Sequence, residues 1–225
     1  MKRTQALLLL FILILLLTSC GLLLEFDDLR VRESYDYYLF APPSYDGSQY
    51  WPAFIGIHGQ GGSGRDCLRT WMDHADEYNF ILICPNMPGT ADGWVQTEGE
   101  DYLVGILGEV SQEYLIESRS FLAGFSAGGQ FVYGYTLRYP AFVSGVSVIS
   151  TGNYSSITNP AAGHVPFLIT VGDQDTNRIT IAADLHNQLT LSGFDSSYYL
   201  IEGAEHEISP SVVNLTLQLF RRVNP

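Results

Sequence analysis

A serine flanked by glycines stands at position 126, directly after a short apolar run. Residues 124–128 read Gly-Phe-Ser-Ala-Gly, and residues 121–123 before them are Phe, Leu and Ala. This G-x-S-x-G pattern is typical of a strand that turns sharply into a helix and presents the serine at the turn. Glycines two positions to either side leave room for backbone that passes close to the strained turn. The pattern predicts that Ser126 is a nucleophile.

A base and a carboxylate are needed before a serine hydroxyl can attack a carbonyl group. The base accepts the hydroxyl proton, and the carboxylate orients the base. Where strands and helices alternate, these partners follow the serine in the order acid, then histidine, each after its own strand. The apolar run 167–171 precedes Asp173 and Asp175, and the run 198–201 precedes His206. The sequence therefore supplies both partners in the required order.

The elements that must position these residues are read from the apolar periodicity. Strands are predicted at 35–40, 53–57, 80–84, 120–123, 145–149, 167–171 and 197–201. Helices are predicted at 65–79, 101–115, 128–139, 180–192 and 212–222. This alternation implies an α/β fold, a mostly parallel central sheet with helices on both faces. One domain, 35–225, is expected, and the spare loops 85–99 and 150–165 are too short for a large cap domain.

With these motifs the chain resembles the α/β-hydrolases, specifically the compact serine esterases that include polyhydroxybutyrate depolymerase-like and feruloyl esterase-like enzymes. The matching residues are His58-Gly-Gln-Gly-Gly62, Gly124-Phe-Ser-Ala-Gly-Gly129, Arg138-Tyr-Pro140, Gly172-x-x-Asp175 and His206. The resemblance implies that Ser126 is the nucleophile and that His206 acts as general base and then as general acid. It favours Asp175 over Asp173 as the orienting carboxylate, because the family places that acid three residues after the glycine that ends the strand.

Two further groups of residues follow from the motif and the resemblance. An oxyanion hole needs two backbone donors, and we expect them to be the N–H groups of Ala127 and Gln60, with Gly61 as the next choice in the second loop. Trp94, in the loop 85–99, and Tyr154, in the loop 150–165, are the candidates to line a substrate cleft. The alternative for both aromatic residues is ordinary packing.

Charge and motif spacing exclude several classes of function. The chain has 11 basic and 24 acidic residues, a formal net charge of −13, so no basic surface for nucleic acid is expected. The histidines show no ligand spacing, and neither a metal nor a cofactor is predicted. Gly59-x-Gly61-x-x-Gly64 matches the dinucleotide-binding fingerprint, but the next strand, 80–84, ends in Pro85-Asn86 without the acid that would hold a ribose.

The first twenty-four residues read as an export signal. Two basic residues precede an apolar run at 6–17, and residues 17–20, Leu-Thr-Ser-Cys, resemble the lipobox of bacterial lipoproteins. We expect a signal peptide at 1–19, a lipidated Cys20 that anchors the protein to a membrane, and a tether at 20–34. The alternative is an uncleaved transmembrane anchor, since the apolar stretch 6–24 is long enough to span a bilayer.

Cys67 and Cys84 remain for the exported part, where cysteines can oxidise. Cys67 is near the start of a predicted helix and Cys84 near the end of the next strand. In a parallel sheet both positions lie at the same edge, so a disulfide and a pair of buried thiols are both open interpretations.

The sequence thus predicts an exported serine hydrolase that cleaves small-molecule or oligomeric carboxylic esters without a cofactor. One alternative is a serine peptidase of the same fold, although such peptidases usually carry a large extra domain. The other is a catalytically idle surface-binding lipoprotein, whose sequence mark would be an incomplete set of catalytic residues.

Overall fold

An open sheet runs through the middle of the protein in a computed structural model, which describes residues 31–34, 36–88 and 96–225. The strands of this described part are β1 (Val31–Glu33), β2 (Tyr37–Phe40), β3 (Ala53–Ile57), β4 (Ile81–Pro85), β5 (Ser120–Phe125), β6 (Val143–Ile149), β7 (Phe167–Gly172) and β8 (Ser196–Ile201). Its α-helices are α1 (Gly64–Tyr78), α2 (Gln96–Glu113), α3 (Ala127–Arg138), α4 (Thr176–Leu191) and α5 (Pro210–Val223).

The strand order of the sheet is β1-β2-β4-β3-β5-β6-β7-β8. The pairs β1–β2 and β2–β4 are antiparallel, and all the others are parallel. The carboxyl ends of β3 to β8 therefore meet at one edge, which is where open α/β sheets bind their ligands. The predicted α/β class, with a mostly parallel sheet, is confirmed.

Helices cover both faces of the sheet, because alternate strand residues point to opposite sides. In β3, Ala53, Ile55 and Ile57 pack into the cluster that includes α2, α3 and α4. Phe54 points the other way, into the cluster with α1 and α5. Its ring lies within 6 Å, centroid to centroid, of four aromatic rings, those of Trp71, Phe80, Phe121 and Phe220. Burial on both faces explains why the strands read as continuous apolar runs.

A disulfide joins Cys67 to Cys84 and decides between the two interpretations of these cysteines. The Cα atoms are 5.8 Å apart, and the bond closes a sequence separation of 17 residues. It connects α1 to β4 underneath the loop that follows β3. Cross-linking a loop of this length stabilises a fold by about 3 kcal/mol, chiefly by restricting the unfolded chain.

Some helix and strand ends differ from the sequence prediction. Helix α2 is already formed at Gln96, before the predicted start at residue 101, and the Gln96 side chain donates hydrogen bonds to Glu100 Oε1 and to the Phe131 carbonyl. Helix α4 begins at Thr176 and not at residue 180, since the N–H of Arg178 already bonds to the carbonyl of Asp175. The predicted tether overlaps β1, which pairs with β2 at the edge of the sheet.

Within residues 31–34, 36–88 and 96–225, no helix has both the length and the apolar character that a membrane span requires. The predicted signal peptide, Cys20 and most of the predicted tether lie outside the described residues.

Candidate active site

Ser126 occupies a sharp turn between β5 and α3, as the glycine pattern predicts. Its φ is 55° and its ψ is −114°, a strained backbone conformation for a residue with a side chain. The turn is held by a hydrogen bond of 2.8 Å from the Ser126 N–H to the Ile149 carbonyl. A Cβ on Gly124 would collide with the Gly128 backbone, and a Cβ on Gly128 with the Ile57 and His58 carbonyls. Both glycines are therefore required by close backbone packing.

Three side chains form a continuous hydrogen-bonded chain at the carboxyl edge of the sheet. His206 Nε2 lies 3.0 Å from Ser126 Oγ, and His206 Nδ1 lies 2.6 Å from Asp175 Oδ2. Ser126 follows β5, Asp175 follows β7 and His206 follows β8. The imidazole is 38% exposed, whereas the Asp175 side chain is 8% exposed. The histidine thus connects a buried carboxylate to a serine that solvent can reach.

Asp173, the alternative acid, holds the histidine loop in place and does not contact the imidazole. Its Oδ1 accepts hydrogen bonds of 2.8 Å from the Gly203 N–H and 2.9 Å from Gln174 Nε2. The Gln174 N–H donates to the Ala204 carbonyl at 2.9 Å. These bonds join the turn after β7 to the loop after β8, so the two loops that carry Asp175 and His206 are fixed to each other.

Phe125, the variable residue before the serine, supports the histidine. Its ring centroid is 4.7 Å from that of His206, at an interplanar angle of 37°. The ring packs beside the imidazole and limits its orientations. The motif G-x-S-x-G leaves this position free, so the sequence alone did not assign it a role.

His58 fixes the loop that follows β3. Its side chain lies near two backbone groups, the Gly59 carbonyl, 2.7 Å from Nδ1, and the Met87 N–H, 3.1 Å from Nε2. Because the Met87 N–H can only donate, Nε2 must be unprotonated, and Nδ1 then carries the proton and donates it to Gly59. Burial lowers the pKa of His58, which favours this neutral form. The sequence placed His58 in the loop that matches the esterases, but it did not indicate that the side chain holds this loop.

The two predicted oxyanion donors both belong to segments that border Ser126. Ala127 is the first residue of α3, so its N–H has no acceptor within the helix. The Gly59 carbonyl accepts hydrogen bonds from His58 Nδ1 and from the Gly62 N–H. Because the peptide bond is trans, the N–H of Gln60 points in the opposite direction from this carbonyl. A Cβ on Gly59 would lie 3.4 Å from Ser126 Cβ. The loop therefore passes directly beside the serine.

Of the two predicted cleft residues, Tyr154 is described and Trp94 lies outside the described residues. Tyr154 is partly buried, with its ring edge-on to that of Tyr133 at 6.2 Å between centroids. Its hydroxyl accepts a hydrogen bond of 3.0 Å from Gln188 Nε2 on α4. These contacts attach the loop 150–165 to α3 and α4.

In the described part of the chain, no group of three or more His, Cys, Asp and Glu side chains is arranged to hold a metal ion. The contacts of Ser126, His206 and Asp175 indicate the chemistry that these residues can perform. Their hydrogen bonds allow a proton to pass from the serine to the imidazole while the carboxylate stabilises the resulting positive charge. Such an arrangement is suited to acyl transfer.

A mostly parallel sheet covered on both faces, with these three residues at its carboxyl edge, defines the α/β-hydrolase fold. Solved structures agree with this assignment. A bacterial heroin esterase superposes with a TM-score of 0.69 at 14% identity, covering 84% of this chain and 79% of its own. A poly(3-hydroxybutyrate) depolymerase from Bordetella parapertussis gives 0.67 at 17% identity, covering 82% of each chain.

Sequence comparison adds relatives that are described as esterases. The probable feruloyl esterase C of Aspergillus niger is 29% identical over 127 residues, and that of Aspergillus terreus is 31% identical over 127 residues. Each match covers 52% of this chain and 46% of the fungal protein, so the chain spans about half the length of these relatives. No protein-family model matches the chain. Both the solved structures and the sequence relatives therefore support the resemblance to α/β-hydrolase esterases that the motifs indicated.

Proposed function

We propose that this protein is a carboxylic ester hydrolase that forms an acyl-enzyme on Ser126. The observation that carries the proposal is the hydrogen-bonded chain from Ser126 through His206 to Asp175, with distances of 3.0 and 2.6 Å. The fold of solved esterases and the names of the fungal relatives support the same reaction class. Acyl transfer of this kind requires no cofactor.

In the first half of the reaction, Ser126 Oγ attacks the ester carbonyl while His206 Nε2 accepts its proton. The carbonyl oxygen becomes an oxyanion, which the N–H groups of Ala127 and Gln60 stabilise, together with the positive end of α3. His206 then protonates the alcohol oxygen as the bond to the acyl carbon breaks. In the second half, His206 takes a proton from water as the water oxygen attacks the acyl carbon. His206 then gives this proton to Ser126 Oγ as the bond from Oγ to the acyl carbon breaks, which releases the acid.

The reaction is tested with a fluorophosphonate probe and a matched substrate pair. Purified protein should become labelled and should hydrolyse p-nitrophenyl butyrate, because the activated hydroxyl of Ser126 attacks both. Ser126→Ala should abolish labelling and turnover. Absence of labelling and turnover in the wild-type protein would favour the idle binding protein. Turnover of a peptide p-nitroanilide without ester turnover would favour the peptidase.

We also propose that the protein is an exported lipoprotein, cleaved before Cys20. The support is the order of a basic start, a short apolar run and Leu-Thr-Ser-Cys at 17–20. When the chain is expressed in bacteria fed an alkyne palmitate, the protein should become labelled and sediment with membranes. Cys20→Ser should remove the label, since the acylated thiol is gone. Sedimentation without any label in the wild-type protein would show an uncleaved transmembrane anchor.

A further inference from the structure

A recess beside the active site is not used in any step of the mechanism above, although Gln60, a proposed oxyanion donor, is among the residues that line it. It has a volume of about 240 Å³ and lies between α1 and the ends of β3 and β5. We call it the side cavity. Its inner wall is apolar and buried, formed by Ile57, Cys67, Trp71, Ala123 and Ile149. Asp66 and Thr70 on α1 stand at its rim. Small recesses of this character bind apolar groups.

The side cavity shares walls with the catalytic residues. Gly59 and Phe125 both line it, and a Cβ on Gly59 would lie 3.1 Å from the Phe125 ring. The Phe125 ring also packs on the imidazole of His206. Ile208, two residues after His206, lines the cavity as well. The cavity therefore lies about one side chain from the reacting atoms, between the loop with Gln60 and the residues that pack beside His206.

The direction of proton transfer determines which part of an ester lies beside His206. When the tetrahedral intermediate breaks down, the alcohol oxygen must be within hydrogen-bonding distance of His206 Nε2 to receive its proton. The oxyanion must at the same time face the N–H groups beside Ser126. The alcohol part thus leaves the serine next to His206, where Phe125 and Ile208 lead into the side cavity.

We propose that the side cavity binds the apolar end of the alcohol part of the substrate. The inference rests on the proposed function and adds a substrate class, esters of alcohols with a compact apolar group such as a benzyl group or a short branched chain. The buried apolar wall supplies the binding energy, and the volume excludes long or bulky alcohols. The names of the relatives do not state this preference.

The test compares two esters that share an acyl group, benzyl butyrate and ethyl butyrate. Wild-type protein should have the higher kcat/KM for the benzyl ester. Thr70→Phe puts a ring at the rim of the side cavity and should reduce the ratio of benzyl to ethyl kcat/KM about tenfold, mainly through KM. In a second series, ethyl esters with acyl chains of rising length are compared. Thr70→Phe should rank these esters by kcat/KM in the same order as the wild-type protein.

Asp73→Leu is the matched control, because it adds an apolar side chain to an exposed position of α1 that does not line the cavity. Its benzyl to ethyl ratio should equal that of the wild type. If thermal melting shows that Thr70→Phe does not fold, Thr70→Ala replaces it. This variant enlarges the rim of the side cavity and should raise the ratio of kcat/KM for 2-phenylpropyl butyrate to kcat/KM for benzyl butyrate.

Three results would overturn the inference: no benzyl preference in the wild type, an unchanged ratio in a folded Thr70 variant, or a shift in acyl preference instead. The proposed function fails in a different way. If the protein is labelled by the fluorophosphonate and hydrolyses ethyl and benzyl butyrate with equal kcat/KM, only the side cavity assignment is wrong. The absence of both labelling and turnover defeats the esterase itself.

Discussion

Asp175→Asn is expected to lower kcat for p-nitrophenyl butyrate by about four orders of magnitude. The carboxylate accepts the Nδ1 proton of His206 at 2.6 Å and leaves Nε2 free to accept from Ser126. An asparagine amide can donate to Nδ1, which places the imidazole proton on Nε2, where it blocks proton transfer from the serine. The variant also loses the negative charge that stabilises the imidazolium. Melting curves and fluorophosphonate labelling rates would show whether the folded protein has lost reactivity.

Asp173→Asn is the control for this prediction, because it removes a charge two residues away. Its Oδ1 acceptor is retained, so the hydrogen bonds from Gly203 and Gln174 can persist. We expect kcat to stay within about threefold of the wild-type value. A large loss in Asp173→Asn with little loss in Asp175→Asn would exchange the two roles and contradict the geometry of the site.

The second large effect is expected for Gly128→Ala, which should reduce kcat by at least about 100-fold. The added Cβ would come within 3.0 Å of the carbonyl oxygens of Ile57 and His58, which are backbone atoms that no side-chain rotation can move away. To relieve the contact, the loop with Gln60 must shift relative to α3. The two oxyanion donors would then no longer converge. Steady-state kinetics and urea unfolding would separate this loss from a loss of stability.

Gly105→Ala provides the control, since a Cβ on that helical glycine meets no atom within 4 Å. It should stabilise the protein by about 0.5–1 kcal/mol, because alanine favours the helix, and it should leave kcat unchanged. Wild-type kcat in Gly128→Ala would show that the loop after β3 tolerates displacement, and the proposed oxyanion hole would have to be revised.

The elements and residues that could be predicted from the sequence are those that short-range patterns determine. The run into residues 124–128 predicted the strand, the turn and the helix because the glycines and the serine are adjacent in the chain. The capping box of α1 is another such short-range pattern, since Ser63 and Asp66 are three residues apart in the chain. The positions of Asp175 and His206 after their own strands followed from the alternation of elements.

The first turns of α2 and the residues that pack beside His206 depend on contacts between distant segments. A local pattern favoured residue 101, but Gly99 is buried against Phe131 of α3, and Gln96 bonds across to the same helix. Likewise, Phe125 supports His206 from eighty-one positions earlier in the chain. The apolar periodicity of one segment does not indicate which distant residue packs against it.

The family resemblance already favoured Asp175, but the physical difference between the two aspartates depends on the fold. Both follow the same strand, and both are short acidic side chains in a turn. Only the path of the loop after β8 decides that Asp175 meets the imidazole while Asp173 meets the Gly203 N–H. The side cavity likewise required the fold, because its walls come from α1, β3, β5, β6 and the loops after β3 and β8.

The bonds from Asp173 and Gln174 to the loop after β8 have a consequence for how such a protein diversifies. An insertion or deletion in either loop would disturb the bonds that hold Asp175 beside His206, so we expect the lengths of both loops to be restricted. The rim of the side cavity, by contrast, is a helix surface on which Thr70 is a single exchangeable side chain. The proposed alcohol preference can therefore change by single substitutions at the rim, while the loops with Asp175 and His206 keep their length.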